Sequence, residues 1–235
     1  MPVKISELLS HREGLKMRKY FILFLLMPLS VVSYELDEKL KCPGNIRNSG
    51  ECAEYLENSI IHTLNFAKRV EDTLYISTRG GKKLTLQSKK IPEESSCLYY
   101  LVDFLRDIDM VVVYCQYWEG DTFFAIHLIE GKPIDIHGYP NVSPDKKQFV
   151  TATIDLEAGY TPNTISIYGI TGQGYSPMWS IKPEGWGARD LEWKNDRTIR
   201  FNKTTLDSSF KYKKVPAAIV KISGKWQLKL NEKPE

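Results

Sequence analysis

Four glycine-centred hairpins recur along the chain, and a sequence that repeats this unit has few ways to bury what it makes. Leu74-Tyr75-Ile76-Ser77-Thr78 turns at Arg79-Gly80-Gly81-Lys82 and returns as Leu84-Thr85-Leu86. Ala125 to Ile129 turns at Glu130-Gly131-Lys132 and returns through Ile134 to Ile136. Ile165 to Ile170 turns at Thr171-Gly172-Gln173 toward Tyr175 and Trp179, and Ile219 to Ile222 turns at Ser223-Gly224-Lys225 into Trp226 to Leu228. Apolar and polar residues alternating about a glycine turn specify antiparallel strands. The glycines Gly81, Gly131, Gly172 and Gly224 stand 50, 41 and 52 residues apart.

A second unit precedes three of these hairpins: a strand, a polar Asp turn, a strand. Phe104 to Asp109 leads into Met110 to Tyr117, Val142 to Lys147 into Gln148 to Asp155, and Trp193 to Arg197 into Thr198 to Thr204. Four short strands every 40 to 50 residues is the period of propeller blades. One small sheet cannot bury both faces alone, and stacking its neighbours against it does so. The expected fold is all-β, a β-propeller-like stack of about four small antiparallel sheets with a short N-terminal helix. A sandwich or open curved stack is the rival.

The clearest turn lies at Ser143-Pro144-Asp145, where Pro144 presets φ and Asp145 can bond backbone two residues on. The stretch Val142-Ser143-Pro144-Asp145-Lys146-Lys147-Gln148-Phe149 resembles the S-P-D-G-K turn of TolB-type and WD-repeat propellers. Lys146 stands where those families usually carry glycine. The resemblance implies the fold and says little about activity, because propellers host many functions.

Residues 1–33 read as a targeting segment. Lys16, Arg18 and Lys19 precede an apolar run from Tyr20 to Val32, and Val31-Val32-Ser33 supplies the small residues of a cleavage site. Met17 is an alternative start. The run is shorter than the roughly 20 residues of an ordinary membrane-spanning helix, so no stable span is expected after processing. Setting apart the five basic and two acidic residues of this segment from the chain's 32 and 29 leaves 27 of each sign. Such a bulk charge balance predicts neither a nucleic-acid nor an anionic-membrane partner. An exported chain with four cysteines favours two disulfides, and Cys42–Cys52 with Cys97–Cys115 is the preferred pairing of three. These spacings lack paired C-x-x-C units, so no metal is expected.

Ala53, Leu56, Ile60, Leu64 and Ala67 recur at three- and four-residue steps, predicting a helix over 52–70 with Ser49 as its cap. The layout is then a targeting segment (1–33), a disulfide loop and helix (34–71) and a propeller-like β domain (72–235).

Chemistry is sparse. Asp155 to Asn163 forms a long connection, and Asp155 and Glu157 are its acids. Trp179, Trp186 and Trp193 recur every seven residues, as an aromatic platform or as packing between sheets. Trp186, between Gly185 and Gly187, is the one expected to face solvent, and Tyr160, Tyr168 and Tyr175 could join it. His62, His127 and His137 assemble no ligand set, and no nucleophile elbow, zinc helix or phosphate loop occurs. Two readings follow. One is an exported, periplasmic or secreted binding module that uses Asp155, Glu157, Tyr160 and Trp186 for a protein or glycan partner and needs no cofactor. The other is an envelope hydrolase acting on glycan through a carboxylate pair.

Overall fold

The computed structural model describes residues 40–89 and 96–230, apart from 45, 47 and 119. The expected targeting segment and cleavage site lie outside the described residues. The described residues form four antiparallel sheets and, between Asn48 and Ile61, one short helix. The first sheet holds β1 (Ala67–Val70), β2 (Thr73–Ser77) and β3 (Lys83–Gln87). The second runs β4 (Leu98–Leu105), β5 (Met110–Gln116), β6 (Asp121–His127) and β7 (Pro133–Asp135). The third runs β8 (Asn141–Val142), β9 (Gln148–Thr153), β10 (Thr164–Thr171) and β11 (Gly174–Ile181). The fourth runs β12 (Gly187–Asn195), β13 (Thr198–Leu206), β14 (Tyr212–Ile222) and β15 (Lys225–Leu230). Each sheet is a meander in chain order, so the hairpins and Asp turns fall where the repeats put them.

Three cores lie between neighbouring sheets. Leu74 and Ile76 of the first meet Leu101, Val111 and Val113 of the second. The opposite face of β5, through Met110, Val112 and Tyr114, meets Phe149 and Tyr168 of the third. Val150, Ala152 and Ile165 of the third then meet Ile199, Phe201 and Ile219 of the fourth. Strand β5 is therefore apolar on both faces, which is why Met110 to Cys115 reads as a continuous apolar run. The two terminal sheets alternate instead. In β3 the half-buried Leu84 and Leu86 face inward, and Lys83, Thr85 and Gln87 face out. In β13 the buried Ile199 and Phe201 alternate with exposed Arg200 and half-buried Asn202. Among the described residues no core joins the first sheet to the fourth. The stack is propeller-like in its meanders and face-to-face packing.

The helix α1 spans Ser49–Ile60, and it ends earlier than its periodicity predicts. Asn48, not Ser49, caps it, its side chain accepting the Glu51 N–H at 2.8 Å. After Ile60 a 3-10 turn carries Ile61 to Thr63, and Ala67–Val70 pairs with β2 as strand β1. Clustered β-branched residues favour leaving the helix, and the pairing energy of β1 outweighs a stripe that ran on by coincidence. Segment 34–71 therefore contributes a strand to the first sheet across the expected boundary. The helix packs Cys52, Ala53 and Leu56 into the second core. Glu57, 2% exposed, accepts the Leu101 N–H at 2.7 Å and binds both Arg69 Nε and Nη2. Arg69 also donates to the Tyr99 carbonyl at 2.6 Å, so one buried carboxylate ties the helix to two sheets.

The sulfurs of Cys42 and Cys52 lie at bonding distance, as do those of Cys97 and Cys115, with Cα separations of 5.7 and 5.6 Å. Both pairs suit disulfide geometry, whose Cα atoms usually lie about 4.4–6.8 Å apart.

Candidate functional site: two unlike ends of the stack

The turns at one end of the stack are laced to each other. Arg79, in the β2–β3 turn, binds Asp109 of the β4–β5 turn at 2.7 Å, and its N–H donates to the Leu128 carbonyl at 2.7 Å. Lys82 reaches the Glu130 carbonyl in the β6–β7 turn at 3.1 Å, which explains a lysine beside a hairpin glycine. Lys146 of the β8–β9 turn meets Asp107 at 2.7 Å. Asp145 N–H donates to Asp196 Oδ1 of the β12–β13 turn at 2.9 Å. Neighbouring sheets are thus pinned in sequence from first to fourth. Ser143 holds the turn itself: its Oγ donates to Asp145 Oδ1 at 2.7 Å and accepts the Gln148 N–H at 3.0 Å. Lys146 takes a left-handed φ of 59°, a conformation that glycine adopts at less cost.

The opposite end carries the connections from second to third strand in sheets two to four. These are 117–120, 154–163 and 207–211. Gly120 lies beside Thr161, where a Cβ would stand 3.7 Å from its Oγ1. Tyr212, at the base of the 207–211 connection, donates its hydroxyl to Glu157 at 2.6 Å. The β1–β2 turn belongs to this end too, because the β2–β3 turn is laced at the other. Of the nine exposed large apolar residues among the described residues, five sit here: Val70, Trp118, Tyr160, Phe210 and Tyr212. Trp118 is 68% exposed and Tyr160 65%, levels at which a ring contributes nothing to a core.

The 154–163 connection is rigid for a stated reason. Asp155 Oδ1 accepts the Ala158 N–H at 2.9 Å, and its Oδ2 accepts those of Tyr160 and Thr161 at 2.7 and 3.1 Å. Its own N–H donates to Asn163 Oδ1 at 2.8 Å. Partial burial pushes the Asp155 carboxyl up, but the amides of Thr161, Gly159, Ala158 and Tyr160 together outweigh it and hold the group below the ordinary carboxylate range. That chemistry suits a loop organiser and ill suits a general acid, which needs its proton near neutral pH. Glu157 is engaged by Tyr212, and the Arg189 guanidinium lies 5.0 Å over the Tyr212 ring.

Trp186 lies at this end, in the link from the third sheet to the fourth, but not as an open platform. Its ring is half-buried against the third core and stacks on Phe201 at 6.2 Å, with Lys203 Nζ 5.5 Å above it. Gly187 explains why: a Cβ there would overlap Ile154, so the glycine brings β12 close and draws the adjacent ring inward. Trp193 is packing, as one of the two sequence readings had it, its Nε1 donating to the Asn141 carbonyl at 2.9 Å and its ring edge-on to Trp226. Tyr168 and Tyr175 pack on Phe149 inside the second core and do not join the surface.

Sequence reading missed Trp118. The available signal was Tyr117-Trp118-Glu119-Gly120, a large ring in a turn just after an apolar strand. It also passed over Asp121 beneath that turn. Burial raises the Asp121 carboxyl above its usual range, and the Tyr114 hydroxyl, donating at 3.0 Å, pulls the other way. Among the described residues no group of three His, Cys, Asp or Glu side chains could hold a metal ion, and no helix is long and apolar enough to cross a membrane.

No family model and no curated protein matches the chain. Five chains of known structure match it. One, from Bacteroides uniformis ATCC 8492 and provisionally assigned as a 6-phosphogluconolactonase, is 10% identical over 69% of each chain, with a TM-score of 0.28. A likeness at that level carries no argument about activity.

Proposed function

We propose that the chain is an exported binding module that holds a protein or glycan partner on the loop end of its sheet stack. One observation carries the reading: exposed aromatic rings gather at the end opposite the run of turn-to-turn contacts, Trp118 on the 117–120 connection and Tyr160 on the 154–163 connection that Asp155 holds rigid. A rigid loop loses little conformational entropy on binding, and large aromatic anchors contribute most where they are already positioned. Trp118 and Tyr160 are the anchors, with Glu157 and the exposed edge of Trp186 as their flank. Two cysteine pairs at bonding distance support an oxidising compartment, in keeping with the charged and apolar order of residues 16–33. The carboxylate-pair reading loses Asp155 as its general acid, because that group is committed to backbone amides.

The test is partner capture from the extracytoplasmic fraction of the source cells on immobilised chain. Trp118→Ser with Tyr160→Ser should reduce the specifically bound material at least about tenfold, the share expected of hot-spot anchors. Thermal unfolding should be unchanged, since neither ring touches a core. Undiminished capture by that double variant would refute the surface.

A further inference from the structure

The hairpin joining β13 to β14 projects from the fourth sheet. Every residue from Asp207 to Lys214 is exposed, and strand pairing persists out to Leu206 and Tyr212. Phe210, near its tip, is 78% exposed and has a φ of 55°. An aromatic residue in the left-handed region is a conformational outlier, and glycine or asparagine would sit there with less strain. The turn is nevertheless well built. Asp207 Oδ1 accepts the N–H groups of Ser209 and Lys211 at 2.8 and 3.0 Å, and the Phe210 N–H donates to the Asp207 carbonyl at 3.0 Å. Its base is fixed by the bond from Tyr212 to Glu157. A strained apolar ring held out on a braced tip serves contact rather than stability.

The residues around it name the contact. The tip reads Phe210-Lys211-Tyr212-Lys213-Lys214. Lys214 is paired with Asp190 at 3.0 Å, while among the described residues no ion pair engages Lys211 or Lys213. A projecting, convex tip has no walls to enclose a peptide side chain or a sugar. It fits a deformable surface that an aromatic ring can enter while lysine stems lie along it and their ammonium groups reach anions. The headgroup layer of an anionic bilayer has that chemistry. Residues 34–235 are neutral in sum, so this basic, aromatic arm is a local feature that bulk charge conceals.

We propose that the β13–β14 hairpin docks the protein on anionic lipid surfaces, Phe210 entering the interface and Lys211 and Lys213 meeting headgroup phosphates. The inference uses neither Trp118 nor Tyr160, the anchors of the partner site, and shares with that site only Glu157, which braces the hairpin through Tyr212. Vesicle co-sedimentation tests it on the full chain, with vesicles of phosphatidylcholine alone and of about three parts phosphatidylcholine to one part phosphatidylglycerol. Binding should favour the anionic vesicles by about tenfold or more and weaken with added salt. Phe210→Gly, which suits the backbone at that position, should weaken it about tenfold while the melting temperature holds or rises. Lys211→Gln with Lys213→Gln should remove most of the preference for anionic lipid. The variants share residues 1–33 with the parent, so their differences report the hairpin alone. Equal binding to both vesicle types, or Phe210→Gly binding like the parent, overturns the proposal. So does equal retention on immobilised polyglutamate that Phe210→Gly leaves unchanged, which would make the hairpin's ligand a polyanion instead of a lipid surface.

Discussion

Asp155 shows at the scale of one residue how a carboxylate can organise a site without doing chemistry in it. Its folded value lies below the ordinary range, so the unfolded chain takes up a proton first as the pH falls. The stabilisation it supplies is complete above about pH 4 and is lost as the pH drops through the folded value. The stability advantage of the parent over Asp155→Asn should therefore be largest near pH 7 and shrink by about pH 3, read by urea unfolding at both. An advantage that grew with acidity would contradict the hydrogen bonds assigned to this loop. Gly138 is a second single-residue case. It has a φ of 96°, and a Cβ there would overlap the Ala152 carbonyl of β9. Gly138→Ala should cost about 3 kcal/mol or more in denaturant unfolding, and Gly172→Ala, with open space around it, less than about 0.5 kcal/mol.

At the scale of elements, the hairpins were legible because their turn chemistry is local. Gly81, Gly131 and Gly224 each take a positive φ in the turn where the sequence places them. The end of α1 was not legible. Residues 64–67 continue an apolar stripe, and only pairing with β2 assigns Ala67–Val70 to a strand. Nor was the attachment of the helix, which depends on Glu57 meeting Arg69 and Leu101 across 12 and 44 residues. Removing that carboxylate orphans the buried Leu101 amide and strips the half-buried Arg69 guanidinium of its counter-charge, leaving it the Tyr99 carbonyl. Glu57→Ala should cost about 3–5 kcal/mol, measured by chemical denaturation. Tryptophan exposure was read only in part, because it is set by the approach of β12 to β9 through Gly187. Trp193→Ala should lower stability by about 3 kcal/mol through lost packing and a lost hydrogen bond. Trp186→Ala should also lower it, by about 1–2 kcal/mol, rather than leave it unchanged as a fully open ring would.

For the whole molecule, the organising fact is that its two ends differ in kind. One end is held together turn to turn by Arg79, Lys82, Asp145 and Lys146. The other presents Trp118, Tyr160 and Phe210 on connections of successive sheets. The repeats announced the sheets, but which end carries exposed rings emerges only once the sheets are stacked, and Trp118 had no repeated partner to draw notice. The partner site is most directly tested by capture with variants from both ends. Trp118→Ser with Tyr160→Ser should abolish capture at unchanged melting temperature, while Lys82→Ser with Lys225→Ser, at the laced end, should leave capture intact. Capture that survives the first pair and fails with the second would place the working surface at the wrong end and contradict the account.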